Sequence, residues 1–195
     1  RWFTGASGQS VAPGTYLPLS GGDIVGDLSV SGVFSVDGLV TFDSGLNVTG
    51  NITGGTYNGL SVGTGGGDIA FNTAVGDSTL QNNTTGSDNT AVGHSALNLN
   101  TEGSQNTAIG LNALYSNTTA NHVTAVGENA LYNNNGNNNT AIGRQSMYAN
   151  TTGANNTAVG RSSLQDNTEG NYNVAVGLSA LEGNTTGSDN TAVGR

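Results

Sequence analysis

Apolar and polar residues alternate in short runs along this chain, and from about residue 68 the alternation becomes periodic. Asn72-Thr73-Ala74-Val75-Gly76 returns in eight near-copies, whose third apolar positions are Val75, Val92, Ile109, Val126, Ile142, Val159, Val176 and Val193. The step between copies is 17 residues, except from Thr124 to Thr140, where it is 16. A fixed step of this size predicts a repeat architecture in which each unit packs on the next. Within Thr-Ala-Val, alternation puts Thr and Val on one face and Ala on the other, and the following Gly turns the chain.

A large apolar residue follows each Gly at a fixed distance: Leu97, Leu114, Leu131, Leu164 and Leu181, with Leu80 and Met147 in the same phase. The Ala96-Leu97 type of segment is expected to be a second short strand. The Val/Ile and Leu columns together are expected to form the core ladder. Three residues beyond each Leu or Met stands an Asn: Asn83, Asn100, Asn117, Asn134, Asn150, Asn167 and Asn184. These amides are expected to stack along the axis and hydrogen-bond to one another. A Thr/Gly-rich turn follows. The short unit has lost its residue there, at Asn134-Asn135-Gly136, which puts the turn outside and the flanking blocks inside. No stretch keeps a 3.6-residue apolar period, and β-branched residues interrupt every unit, so helix is excluded. The fold class read here is all-β, a parallel β-solenoid or β-roll with coils of about 17 residues. One coil buries too little to stand alone and needs its neighbours and, we infer, other chains.

The stretch before the repeats differs. Residues 1–17 read as a connector from an upstream domain. Residues 18–67 form short alternating runs such as Val33-Phe34-Ser35-Val36, cut by Gly26, Gly32, Gly38 and Gly45. Such punctuation predicts short strands and tight turns, a slender β-fibre completed by other chains. Gly63 to Gly67 reads as a hinge, and residues 68–195 read as the repeat block, which is expected to be truncated C-terminally.

Composition narrows the function. The chain of 195 residues carries a formal net charge of −9, with 9% charged residues and no Cys. Its basic residues are Arg1, Arg144, Arg161 and Arg195, with no Lys, which argues against a nucleic-acid partner. No apolar run is long enough for a membrane helix. The carboxylates are scattered, with no repeated pair at glycosidase spacing. His94 and His122 stand at different phases and form no ligand cluster. No catalytic site, metal or cofactor is expected. Tyr115, Tyr132 and Tyr148 follow the Leu/Met position in three consecutive units and are expected to line up as an outward aromatic ladder. Such a ladder stiffens the rod or offers a surface to sugars. The Thr column could suit ice, but Val174 interrupts it and it shares a face with Val, expected to be buried.

The repeat Asn-Thr-Ala-Val-Gly-x-x-Ala-Leu-x-x-Asn-Thr-Thr-Gly resembles those of YadA-like heads in trimeric autotransporter adhesins. Tyr16-Leu17-Pro18-Leu19-Ser20-Gly21-Gly22, with Gly26 and Leu28 beyond it, resembles a segment of bacteriophage tail-fibre proteins; Asp23-Ile24 departs from that pattern. The resemblance implies a left-handed roll and an extended homotrimeric fibre on a virion that spaces and presents a receptor-binding tip, associated with other tail or fibre proteins. The alternative it leaves open is a trimeric adhesin on a bacterial surface whose roll itself binds a host glycan or protein.

Overall fold

A computed structural model of the chain describes Gly55–Tyr57, residues 60–69 and residues 71–194. All of them lie in the compact unit Val48–Arg195. The connector at 1–17 and most of the fibre segment at 18–67 lie outside the described residues.

Among the described residues, ten short strands form one sheet in chain order. Strands β1 (Gly55–Tyr57) and β2 (Leu60–Gly63) make an antiparallel hairpin, and β2 pairs antiparallel with β3 (Thr73–Val75). From there every pairing is parallel and in register: β4 (Thr90–Val92), β5 (Thr107–Ile109), β6 (Thr124–Val126), β7 (Thr140–Ile142), β8 (Thr157–Val159), β9 (Val174–Val176) and β10 (Thr191–Val193). Thr stands on Thr and Ala on Ala, and the one 16-residue step pairs Thr124 with Thr140 without loss of register. The repeat block is thus a parallel β-solenoid with one strand per coil. At the usual strand separation, its seven steps span roughly 34 Å.

The expected second strand is absent. The Ala-Leu segment is a run of turns in which Leu80, Leu97, Leu114, Leu131, Met147, Leu164 and Leu181 all adopt left-handed backbone, with φ between 48° and 54°. Coil-to-coil hydrogen bonds persist there without extended backbone: Leu97 N–H donates to Ala113 C=O at 3.0 Å and Ser95 N–H to Asp77 C=O at 2.9 Å. The left-handed turn explains why this column holds Leu and Met and never Val or Ile. A β-branched side chain at positive φ clashes with its own backbone.

The core is one residue wide. Leu80, Leu97, Leu114, Leu131, Met147 and Leu164 are fully buried, with Ala91, Ala108, Ala125, Ala141, Ala158 and Ala175 beside them. Leu181 packs against this core half-buried. The Val/Ile column does not belong to it, and the expectation is corrected: Val75, Val92, Val126 and Val159 are half-buried, and Ile109, Ile142, Val176 and Val193 are exposed. The coil is too narrow to hold a branched side chain opposite Leu, so the small Ala turns inward and its neighbours face out.

Nor is the Gly63 to Gly67 stretch a hinge. It lies against the first coil, where Gly66 N–H donates to Leu80 C=O at 2.8 Å. A Cβ on Gly65 would sit 2.5 Å from the Cβ of Leu80, so glycine is required for the approach. Together with β2, this stretch closes the N-terminal end of the solenoid.

Two asparagine ladders hold the Thr/Gly-rich turn. In the first, Nδ2 of Asn100 donates to Oδ1 of Asn83 at 2.9 Å, Asn117 to Asn100 at 2.7 Å, Asn150 to Asn134 at 2.6 Å, Asn167 to Asn150 at 2.8 Å and Asn184 to Asn167 at 3.0 Å. The second was not foreseen. Asn72, Asn89, Asn106, Asn139, Asn156 and Asn173 are buried, and Oδ1 of each accepts the next coil's backbone N–H, as from Asn89 to Asn72 and from Asn106 to Asn89, both at 2.9 Å. Both ladders converge on one turn carbonyl per coil. Gly103 C=O accepts from Asn89 at 2.8 Å and from Asn100 at 2.9 Å. A buried carbonyl with two amide donors is fully satisfied.

Both ladders break at the 16-residue coil. Val123 occupies the second ladder's position and brings no amide. In the first ladder Asn134 donates to Gly136 C=O and does not reach Asn117, whose buried Oδ1 has no partner. The coil is patched by a side chain. Elsewhere a Thr carbonyl accepts the preceding coil's turn N–H, as Thr118 C=O does from Thr101 at 3.0 Å. Here Oδ1 of Asn135 takes that role, accepting Thr118 N–H at 2.8 Å and Thr118 Oγ1 at 2.9 Å. A side-chain amide thus stands in for the lost peptide group.

Candidate functional site

Two outward features gather residues with something to offer a ligand or partner. The first is the face of the parallel strands. Thr and Val/Ile alternate outward there, so that two columns of methyl-bearing side chains run along the axis, one of them also carrying hydroxyls. Val174 replaces Thr in the ninth strand and is itself exposed. The column just past each Gly lies beside this face and mixes charge with apolar surface. Asp77 and His94 approach to 3.4 Å, Glu128 and Arg144 to 3.3 Å, and Leu111 and Leu178 are exposed between and beyond them. Exposed pairs of this kind contribute little to stability.

The second feature is the aromatic ladder. Tyr115 and Tyr132 stack with ring centroids 5.0 Å apart and planes 8° from parallel; Tyr132 and Tyr148 stack at 5.4 Å and 24°. All three side chains are half-buried. Because each ring covers its neighbour's face, Tyr132 has neither face free, and Tyr115 and Tyr148 each have one face covered by a ring. Partial burial and the two flanking phenols raise the pKa of Tyr132 above its ordinary value. The stack spans the 16-residue coil: Tyr115 lies in the coil before it, Tyr132 within it and Tyr148 in the coil after.

No group of three or more His, Cys, Asp or Glu is placed to hold a metal among the described residues, and no helix there is long and apolar enough to cross a membrane. His122 is exposed at a left-handed turn position, in the same phase as Asp88 and the exposed Phe71 and Tyr172. The three outward faces of the coil are thus a Thr/Val face, a Tyr-bearing turn face and a Thr/Asn turn. Sequence reasoning found the Tyr ladder from its phase. It missed the second asparagine ladder, although Asn stands just before the strand in seven of the eight copies.

No protein-family model matches the chain, and neither a curated protein nor a solved structure matches it significantly.

Proposed function

We propose that the solenoid is a structural shaft, a rigid segment of a homotrimeric fibre on a virion that spaces and presents a receptor-binding tip. The observation that carries the reading is the outward Val/Ile column. It repeats coil by coil over the whole parallel ladder, and in the single chain four of its eight members are exposed and the other four half-buried. A surface that repeats with the axial period of the coil is matched most fully by another solenoid of the same period, and the nearest such partner is a second copy of the chain. Identical chains around one axis close this contact with cyclic symmetry. Three as the number, and a virion tail as the place, come from the resemblance of the repeat and of Tyr16–Gly22 to fibre proteins. Other fibre or tail proteins would then adjoin its ends. Adhesion by the roll itself, on a bacterial surface, is the competing reading. The mutual stacking of the Tyr rings weakens its version in which they serve as a glycan platform.

The test is sedimentation of the chain and of an Ile109→Glu/Ile142→Glu variant at micromolar concentration. The expected outcome is a trimer for the native chain and a folded monomer for the variant, whose buried coil interior is untouched. A folded native monomer as the dominant species would end the proposal.

A further inference from the structure

We infer that the Tyr115–Tyr132–Tyr148 stack is a site of oxidative tyrosine coupling, where one-electron oxidation joins neighbouring rings into an intrachain dityrosine that staples the irregular coil. The inference does not depend on the shaft reading.

The arrangement begins with the repeat. In-register coils place successive Tyr side chains directly above one another, and the rings lie nearly parallel at 5.0 and 5.4 Å. Their partial exposure lets an oxidant reach the ring edges. Sulfur does not compete: the chain has no Cys, and its one Met, Met147, is fully buried; Trp2, Tyr16, Tyr57 and Tyr172 are the other oxidisable side chains. Tyr172 is exposed but has no ring partner among the described residues.

The chemistry needs an external oxidant, and a haem peroxidase with hydrogen peroxide supplies it. Two adjacent tyrosines each lose one electron and the phenolic proton. The resulting phenoxyl radicals carry spin on the ring carbons ortho to oxygen, and one such carbon from each ring forms the new C–C bond. The two ring hydrogens at the joined carbons then shift as protons to the phenolic oxygens. Peroxide takes up the two electrons and two protons and leaves as two waters. The rings are held within a side-chain rotation of the coupling distance, so intramolecular coupling outruns the encounter of two chains in dilute solution.

Position gives the bond its consequence. The stack crosses the one place where both asparagine ladders fail, at Val123 and at the unpartnered Asn117 Oδ1. A covalent link from Tyr132 to Tyr115 bridges the break itself, and one to Tyr148 ties the irregular coil to a neighbour with intact ladders.

The experiment treats the native chain, at low concentration, with peroxidase and hydrogen peroxide. It reads dityrosine fluorescence, chain mass, and the cross-linked peptides released by protease. The expected product is one chain two hydrogens lighter, linked through Tyr132, whose 124–139 amides exchange more slowly than before oxidation. Tyr132→Phe keeps the stacked ring but separates the two remaining phenols by a ring, and is expected to lose the intrachain product. Tyr172→Phe is expected to retain it. Absence of dityrosine in the native chain, links formed only between chains, or an unchanged intrachain yield in Tyr132→Phe would each overturn the inference.

Discussion

At the scale of single residues, the fold rests on a conformation that most side chains avoid. Leu114 is fully buried and sits at φ 54°. Placing an L-residue in left-handed backbone costs roughly 1–2 kcal/mol, a cost each coil meets at the Leu position by burying that side chain. Two isosteric substitutions separate packing from backbone. Leu114→Met keeps an unbranched Cβ and is expected to lose less than about 1.5 kcal/mol, as volume-conserving swaps do. Leu114→Ile keeps the volume but brings a β-branch to positive φ, and is expected to lose about 2–3 kcal/mol. Equal losses in chemical denaturation would show that the left-handed turn does not govern the column. A second residue-scale effect is electrostatic. The raised pKa of Tyr132 means that the folded chain holds the phenolic proton more tightly than the unfolded one. Stability linked to it is fully present below the ordinary tyrosine value of 10.0 and is lost as pH rises through the higher folded value. Tyr132→Phe is expected to flatten that alkaline fall in melting temperature; an unchanged fall would overturn the assignment to Tyr132.

At the scale of the element, the strand pairing was legible and its facing was not. The 17-residue step fixes which residue stands on which, and the shift to 16 at Thr124 to Thr140 appears in the register as the sequence implies. Alternation within Thr-Ala-Val separates two faces but does not say which is inside. The width of the coil decides that. A clue lay in the column itself: the middle residue is Ala in every copy, whereas its outward neighbour varies between Val and Ile. An invariant small residue marks the tight side. The Leu segment was misread as a strand because apolar content was taken for β structure, when the exclusion of β-branched residues from it signalled positive φ. The candidate site was legible to the same degree, since phase alone aligned the Tyr rings, but their mutual stacking depends on side-chain rotamers and their place over a weak coil on hydrogen bonds that phase does not specify. The cap is an element the sequence concealed as a flexible glycine run. Gly66→Ala drives a Cβ into the carbonyl oxygen of Gln81. Relief requires the stretch to lift from the first coil, at an expected cost of about 1–3 kcal/mol. Loosening β2 bares the edge of β3, and an open strand edge invites pairing with other chains. Light scattering on heating is therefore expected to rise earlier for Gly66→Ala than for the native chain; coincident traces would mean that the glycines do not cap.

At the scale of the whole molecule, a solenoid is nearly one-dimensional: its stability is a sum over coils and the interfaces between neighbours. Removing a whole coil should therefore leave a folded, shorter solenoid, and the change in stability should report the quality of what was removed. The irregular coil allows a sharp comparison. Deleting residues 90–106 removes a regular 17-residue coil and joins Asn89 to Thr107, which preserves the repeat on both sides. Deleting residues 123–138 removes the 16-residue coil and joins His122 to Asn139. In the second variant Asn150 follows Asn117 at the regular step, so its Nδ2 can reach the orphaned Oδ1 of Asn117. Asn139 likewise follows Asn106 at the regular step and offers its N–H to the Oδ1 that now binds Val123 N–H. Tyr148 falls into place over Tyr115. This deletion heals both ladders at once, at the loss of one Tyr ring from the stack and of the exposed Glu128–Arg144 pair. Restoring a buried amide's partner is worth about 1–3 kcal/mol, and surface ion pairs contribute about 0–1 kcal/mol. The solenoid lacking 123–138 is therefore expected to be the more stable of the two shortened chains and to melt at the higher temperature. If it melts below the chain lacking 90–106, the coil with broken ladders is not the weak point of the solenoid, and the side-chain patch at Asn135 together with the Tyr stack more than replaces what the missing residue took away.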